Sequence, residues 1–208
     1  SDQPFGNVKE NSIKEVWNSD KYKELRLAMI NGEKLDCCRR CYELEDSTYI
    51  WTLRKNHNQW FGDKHFDLVE KTNADGSIDE MRMAYMDIRF SNICNMKCRS
   101  CGPELSSLHA QEHGELYGKH EVANILKNNG SNIVNVAKHK DFWNELQQYL
   151  PDVEEVYWAG GEPLITDEHY KILDHWIDIG KTDVRLRYTT NFSNLRFKQK
   201  SIIDYWKE

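Results

Sequence analysis

Three cysteines in one short stretch have the types and spacing that metal chemistry needs. Cys94, Cys98 and Cys101 are separated by three and by two residues, so their thiols are expected on one tight loop. Thiolate is the ligand that iron–sulfur clusters require, and three thiolates can hold three irons of a [4Fe–4S] cluster. A structural site is normally closed by a fourth protein ligand. The spacing therefore predicts a cluster with one iron open to another ligand.

A zinc site is the alternative interpretation of these thiols. Its fourth ligand would be a histidine such as His109 or His113, or a distant cysteine. The two histidines are four residues apart on a predicted helix and could chelate a metal, but a solvated helix face is favoured for them.

Two polar turns are candidates for the same site. Gly160 and Gly161 let the backbone approach a ligand closely, and Pro163 fixes the turn. Glu162 is expected to be an exposed carboxylate that suits an ammonium group; an ordinary turn with a solvated acid is the alternative. With Thr189-Thr190-Asn191, both turns follow predicted strands, and the carboxyl ends of parallel strands share one edge of a sheet. The cysteine loop and these turns are therefore expected to face one site.

Apolar residues at alternating or closely spaced positions predict the three strands that precede these segments. These positions are Met86, Ile88 and Phe90, then Val153, Val156 and Trp158, and finally Val184, Leu186 and Tyr188. Helices are predicted from Pro103 to about Tyr117, around Phe142 to Tyr149, after Thr166 and around Ile202, with an Asn-rich loop at residues 127–132. Alternating strands and helices are typical of parallel βαβ units.

The second face of the first and third predicted strands is polar. It carries Asp87, Arg89, Arg185 and Arg187, whereas a parallel strand buried on both faces is almost continuously apolar. We expect this face to line a polar cavity of an open or partial barrel. An edge strand wetted on one side is the alternative.

The first part of the chain is predicted to be mostly helical. Ser12 and Glu15 have the spacing of a capping box, which starts a helix that runs to about Trp17. A second helix is expected from Ser19 or Asp20 to Gly32. Cys37, Cys38 and Cys41 then form a second group of thiols, and a connector with a turn at residues 73–77 leads to the first strand.

Composition excludes several classes of protein. The 208 residues include 28 Lys and Arg against 34 Asp and Glu, a net charge of −6 that disfavours a general nucleic-acid binder. No apolar run approaches the roughly 18 residues of a membrane helix, and the mean hydropathy is −0.80. No secretory signal is recognisable. We expect a soluble, cytoplasmic protein.

The Cys-x3-Cys-x2-Cys loop after one strand and Gly-Gly-Glu-Pro after the next resemble the radical S-adenosylmethionine superfamily over residues 86–208. The resemblance implies reductive cleavage of S-adenosylmethionine to a 5′-deoxyadenosyl radical that abstracts hydrogen from a substrate. It also implies an electron donor such as a flavodoxin or ferredoxin. By this resemblance, the cluster ligands would be Cys94, Cys98 and Cys101. The methionyl ammonium group would be bound by Gly160, Gly161 and Glu162. Asn191 would contact the cofactor or the substrate. Ser100 departs from the aromatic residue usual before the third cysteine, which leaves an adenine contact there in doubt.

The first part has a second resemblance, carried by Gly6 to Glu10, Ser12, Glu15 to Ser19 and Cys38-Arg39-Arg40-Cys41-Tyr42. These segments look like the twitch or SPASM auxiliary-cluster module of peptide-modifying members. Cys38 and Cys41, with Cys37, would then bind an auxiliary Fe–S cluster, and its other ligands would lie upstream of Ser1. A two-thiol zinc knuckle or unliganded cysteines are the alternative.

Together these observations predict an α/β protein. It comprises an auxiliary-cluster module at residues 1–45, a connector at 46–85 and, at 86–208, the first three βα units of a partial (βα) barrel. The expected function is that of a radical S-adenosylmethionine enzyme acting on a peptide or protein. The rival hypothesis is a non-catalytic metal-binding module with zinc or a closed cluster. Because few βα units follow residue 86, we expect the chain to be a fragment cut at both ends.

Overall fold

The computed structural model describes residues 4–47, 51–128 and 140–208. The chain divides into two compact units, Ser1–Met81 and Arg82–Glu208. No helix within the described ranges has the length and apolar character needed to cross a membrane.

The first unit is built from short helices. They are α1 (Ile13–Trp17), α2 (Asp20–Ile30), α3 (Arg39–Asp46), α4 (Leu53–His57) and α5 (Asp67–Glu70), with a 3₁₀ turn at Asp36–Cys38 and a π-helical turn at Asn58–Gly62. The two predicted helices before Gly32 are confirmed. The predicted connector contains α4, α5 and the π-helical turn, so much of it is helical.

Local polar chemistry explains where these helices begin. The Ser12 hydroxyl accepts the Glu15 amide at 3.1 Å, and the Glu15 carboxylate accepts the Ser12 amide at 2.7 Å. This is the predicted capping box, which satisfies two amides at the start of α1. After the C-terminal end of α2, Gly32 adopts a φ of 72°, a left-handed conformation that terminates helices readily.

Longer-range polar contacts hold the predicted turn of the first unit. The Asn73 amide donates to the Ser77 carbonyl at 2.9 Å, which closes the turn. Asn18 contacts Ile78, the residue that follows this turn. The Asn18 side-chain amide donates to the Ile78 carbonyl, and its side-chain oxygen accepts the Ile78 amide, both at 2.9 Å. One asparagine thus joins the end of α1 to a segment sixty residues away.

The second unit contains a parallel three-stranded sheet in the order β1-β2-β3. The strands are β1 (Tyr85–Ile88), β2 (Glu155–Trp158) and β3 (Arg185–Tyr188). Tyr85 pairs with Glu155, which pairs with Arg185, and the register continues to Ile88, Trp158 and Tyr188. The predicted parallel arrangement is confirmed, although each strand is shorter than its apolar pattern. The partial barrel stays a prediction.

The helices of the second unit follow the predicted order with one addition. They are α6 (Ser107–Tyr117), α7 (Lys119–Asn128), α8 (Lys140–Tyr149), α9 (Asp167–Asp178) and α10 (Ile202–Tyr205). Helix α7 was not predicted and covers the start of the expected Asn-rich loop, the rest of which lies outside the described residues. A small antiparallel pair, β4 (Arg196–Phe197) and β5 (Lys200–Ser201), was also not predicted.

The sheet has one apolar and one polar face. Met86, Ile88, Val156 and Trp158 are buried, and the Trp158 ring lies edge-on to that of His169 in α9, with centroids 4.7 Å apart. The opposite side, here called the polar face, comprises Tyr85, Asp87, Arg89, Glu155, Tyr157, Arg185 and Arg187. Burying large apolar side chains against α9 supplies the main stabilisation of this unit.

Candidate functional site

Three loops leave the sheet at the carboxyl ends of its strands and are hydrogen-bonded to one another. The cysteine loop follows β1, the Gly-Gly-Glu turn follows β2, and Thr189-Thr190-Asn191 follows β3. The Glu162 carboxylate accepts the Thr190 hydroxyl at 2.6 Å and the Asn191 amide at 2.7 Å. The structure therefore brings the predicted site segments of this unit together at one edge.

Gly160 and Gly161 let the turn after β2 approach the segment that leads into the cysteine loop. The Gly161 amide donates to the Ser91 carbonyl at 2.9 Å, and the Glu162 amide donates to the Ile93 carbonyl at 2.7 Å. A Cβ on Gly161 would lie 2.1 Å from the Ile93 oxygen, and Gly160 has a φ of 102°. Both positions thus require glycine for contact within the chain, in addition to any ligand.

Glu162 is buried, so the prediction of an exposed carboxylate is wrong. Its side chain turns back into the protein and accepts the Leu164 amide at 3.0 Å, besides the two donors from the end of β3. A buried carboxylate needs such donors, because an unpaired charge in the interior is costly. Glu162 therefore joins the ends of β2 and β3.

A turn closes the second half of the cysteine loop. The Cys101 amide donates to the Cys98 carbonyl at 3.0 Å. The Cys94 sulfur accepts the Met96 amide at 3.4 Å and the Asn191 side-chain amide at 3.8 Å. Cys98 is exposed, while Cys94 and Cys101 are half-buried. Two N–H groups are thus directed at the Cys94 sulfur.

Ser106 and Ser107, which position this loop, were missed in the sequence. The Ser106 hydroxyl donates to the Met96 carbonyl at 2.7 Å, and the Ser107 hydroxyl lies 3.2 Å from the Cys94 amide. A ring nitrogen of His109 lies 2.8 Å from the Cys98 carbonyl oxygen. The available signal was a run of polar residues where α6 begins, just after the last cysteine.

Asn191 lies at the centre of a second set of contacts that sequence reasoning missed. Its side-chain amide donates to the Asn95 oxygen at 2.9 Å, and its own oxygen accepts the Ser193 amide at 3.0 Å. Asn95 in turn donates to the Ser193 hydroxyl at 2.8 Å. The cysteine loop is thereby tied to the segment after β3, over a sequence separation that gives no local pattern.

The donor set of the cysteine loop fits an iron–sulfur cluster in its chemistry. It consists of three thiols on one loop, with N–H groups already directed at the Cys94 sulfur, and such bonds accompany thiolate-bound clusters. Over the described ranges, no three His, Cys, Asp or Glu side chains are placed closely enough to hold a metal ion. The assignment of Cys94, Cys98 and Cys101 as ligands stays a prediction.

The thiols of the first unit lie on helical backbone. Cys37 and Cys38 end the 3₁₀ turn, Cys41 is in α3, and the Cys37 and Cys38 sulfurs are 3.9 Å apart. Partial burial raises the pKa of the Cys38 thiol, and the neighbouring thiols act in the same direction. The Arg54 guanidinium, paired with Glu45, opposes this rise.

Comparison with protein families adds an independent finding for the first unit. Residues 1–42 match the SPASM family, described as an iron–sulfur cluster-binding domain. The predicted resemblance to such a module is confirmed, and Cys37, Cys38 and Cys41 lie within the matched residues. The comparison therefore supports iron–sulfur cluster binding for this segment of the chain. No curated protein and no solved structure is significantly similar to the chain.

Proposed function

We propose that this chain belongs to a radical S-adenosylmethionine enzyme, with a [4Fe–4S] cluster and S-adenosylmethionine as cofactors and a peptide or protein as substrate. One observation carries the proposal: the Gly-Gly-Glu turn is hydrogen-bonded to the segment that leads into the three-cysteine loop. The SPASM match supports it, because that domain is typical of such enzymes.

Each cofactor has candidate partners in the second unit. Cys94, Cys98 and Cys101 would hold the cluster. An ammonium group donates hydrogen bonds, and the Glu162 carboxylate is turned into the protein, so an ammonium group would be bound by the carbonyl oxygens of this turn. When bound, the cluster and S-adenosylmethionine supply reductive cleavage of the sulfonium and a carbon radical that abstracts hydrogen.

The remaining site residues position the ligands. Glu162 holds the turn against the end of β3, so the two loops keep one geometry. Asn191 directs an N–H group at the Cys94 sulfur, and hydrogen bonds to ligand sulfurs are one determinant of cluster potential. Asn191 thus acts through Cys94, in addition to any contact with cofactor or substrate.

The proposal extends to the first unit and to partners. Cys37, Cys38 and Cys41 would contribute to an auxiliary Fe–S cluster, and an electron donor such as a flavodoxin or ferredoxin would reduce the catalytic one. A cytoplasmic location suits both, since thiols remain reduced there.

The test is anaerobic reconstitution of the full chain with iron and sulfide, followed by a reductant and S-adenosylmethionine. We expect 5′-deoxyadenosine, measured by mass spectrometry, and an altered electron paramagnetic resonance spectrum when S-adenosylmethionine is added. Cys98→Ser should abolish the product, while the matched variant Cys41→Ser should retain it. A verified cluster without any 5′-deoxyadenosine would contradict the proposal.

A non-catalytic metal-binding module is the second candidate, because the family match describes cluster binding alone. Zinc or a closed cluster would then occupy the cysteine loop, and S-adenosylmethionine would leave the spectra unchanged. Cys98→Ala would chiefly reduce the free energy of unfolding, whereas under the first proposal it would chiefly remove the cluster and its activity.

A further inference from the structure

The polar face of the sheet holds two guanidinium groups in fixed positions over one buried carboxylate. An Nη1 atom of Arg185 lies 3.1 Å from one Glu155 oxygen, and an Nη1 atom of Arg187 lies 3.0 Å from the other. The Glu155 side chain is only 5% exposed, whereas both arginine side chains are 48% exposed. A guanidinium has five N–H donors, so a bond to Glu155 leaves donors of Arg187 for a ligand.

A third guanidinium, that of Arg89, lies on the same face, just after β1. The Arg89 Nε and Nη2 atoms lie 2.9 and 3.0 Å from the two oxygens of Asp87. Tyr157 lies on β2, between β1 and β3, and the Arg187 guanidinium lies over its ring at 5.8 Å from the centroid. Ion pairs and an aromatic contact thus hold these groups in place before any ligand binds, which lowers the entropy cost of binding.

The charge of this face differs from that of the chain. Three arginines lie against two carboxylates on the polar face, which leaves an excess of positive charge, whereas the chain as a whole carries −6. Guanidinium groups match carboxylates in planar geometry and can bind them through two parallel hydrogen bonds. A local cationic face on an acidic chain favours an anionic ligand over a neutral one.

The polar face leads to the candidate site. Arg89 follows β1 and Thr189 follows β3, both at the edge where the cysteine loop begins. Residues two apart on a strand are about 7 Å apart. A peptide anchored on Arg187 would therefore need only a few of its own residues to reach that edge.

We propose that the polar face binds an acidic segment of the peptide substrate, whose carboxylates are recognised by Arg185 and Arg187. This inference rests on the proposed function, since it names the substrate class of the same site. Glu155 and Asp87 position the guanidiniums, and Tyr157 offers an apolar surface between them.

The experiment measures binding of fluorescent peptides to the full chain at low ionic strength. One peptide alternates Glu with Gly, and its partner has Gln in place of each Glu. The test variant is Glu155→Gln with Arg185→Gln and Arg187→Gln, which leaves no unpaired buried charge. The control, Glu115→Gln with Lys119→Gln and Arg196→Gln, removes the same charges from exposed positions. Circular dichroism verifies that both variants fold.

We expect the Glu peptide to bind at least about tenfold more weakly to the test variant, and within about twofold of the unchanged chain to the control. Added salt should weaken binding of the Glu peptide. Equal binding of the Glu and Gln peptides, or an unchanged affinity in the test variant, would overturn the inference. So would tighter binding of a single-stranded oligonucleotide than of the Glu peptide.

Binding is measured without S-adenosylmethionine, so the two proposals fail separately. Formation of 5′-deoxyadenosine without selective peptide binding would leave the proposed function and remove this inference. Selective, arginine-dependent binding without 5′-deoxyadenosine would leave an acidic-peptide surface on a protein of another function.

Discussion

The two units hold their cysteines in different ways. In the second, the loop of Cys94, Cys98 and Cys101 is bonded to the turn after β2 and to the segment after β3, which are distant in sequence. In the first, Cys37, Cys38 and Cys41 lie on a 3₁₀ turn and on α3. Their backbone geometry is set by local helical bonds.

The cores of the two units differ in the same direction. Among the buried apolar side chains of the described residues, three lie in the first unit and fourteen in the second. Those of the first unit are Ile13, Ile78 and Met81. A small domain with so few buried side chains commonly depends on metal for part of its stability. Packing thus positions the cysteines of the second unit, while a bound cluster would stabilise the first.

The largest expected effect tests the difference between the cores. Trp158→Ala removes a 1%-exposed ring that contacts His169, and should lower the free energy of unfolding of the second unit by about 3–5 kcal/mol. Trp60→Ala in the first unit, where the ring is 53% exposed, should cost less than about 1 kcal/mol. Urea unfolding of the full chain measures both. Similar losses of unfolding free energy in the two variants would contradict the difference between the two cores.

Glycine substitutions test how the cysteine loop is positioned. Gly161→Ala places a methyl group against the Ile93 carbonyl, a backbone atom that cannot rotate away, and should cost about 1–3 kcal/mol. It should also lower the iron bound after reconstitution. Gly62→Ala in the first unit meets nothing within 4 Å and is the matched control. Full iron loading of Gly161→Ala would show that the turn does not position the loop.

Acid should act on the second unit through His169. Burial lowers the pKa of this imidazole from 6.5 to about 3. Below pH 6.5 the unfolded chain binds a proton that the folded chain does not, so stability is complete above that pH and falls as the pH drops toward 3. The expected slope is about 1.4 kcal/mol per pH unit.

His169→Gln should remove this slope between pH 6 and 4 in urea titrations, and His113→Gln, on α6, is the control that should keep it. An unchanged slope in His169→Gln would assign the acid sensitivity to other groups.

The smallest effect concerns the polar bonds of the first unit. Asn18→Ala removes both bonds to the Ile78 backbone and should cost about 0.5–1.5 kcal/mol, because water can reach this half-buried site. Asn18→Asp keeps the acceptor and should cost less. Hydrogen exchange of the Ile78 amide is the measurement, since it reports this unit alone. Unchanged protection in Asn18→Ala would mean that apolar packing, not this polar bond, holds the segment.

Much of the backbone could be predicted because the signals are local. The capping box of Ser12 and Glu15, the three strands and the shared edge of their loops follow from residue types at short spacing. Helix α7 was missed because Gly118 precedes it and offers no capping side chain to mark its start. The burial of Glu162 was missed because its partners, Thr190 and Asn191, are far along the chain.

The sequence by itself determined which atoms are available for chemistry: thiols at metal-binding spacing, glycines after a strand, and arginines alternating along β3. Tertiary structure decided what several of them do. Glu162 became a buried link between strands, and Asn191 became a donor to the Cys94 sulfur. Arg185 and Arg187 came to share one carboxylate from a neighbouring strand. Residue types and spacing are properties of the local chain, whereas burial and pairing depend on which distant segments the sheet brings together.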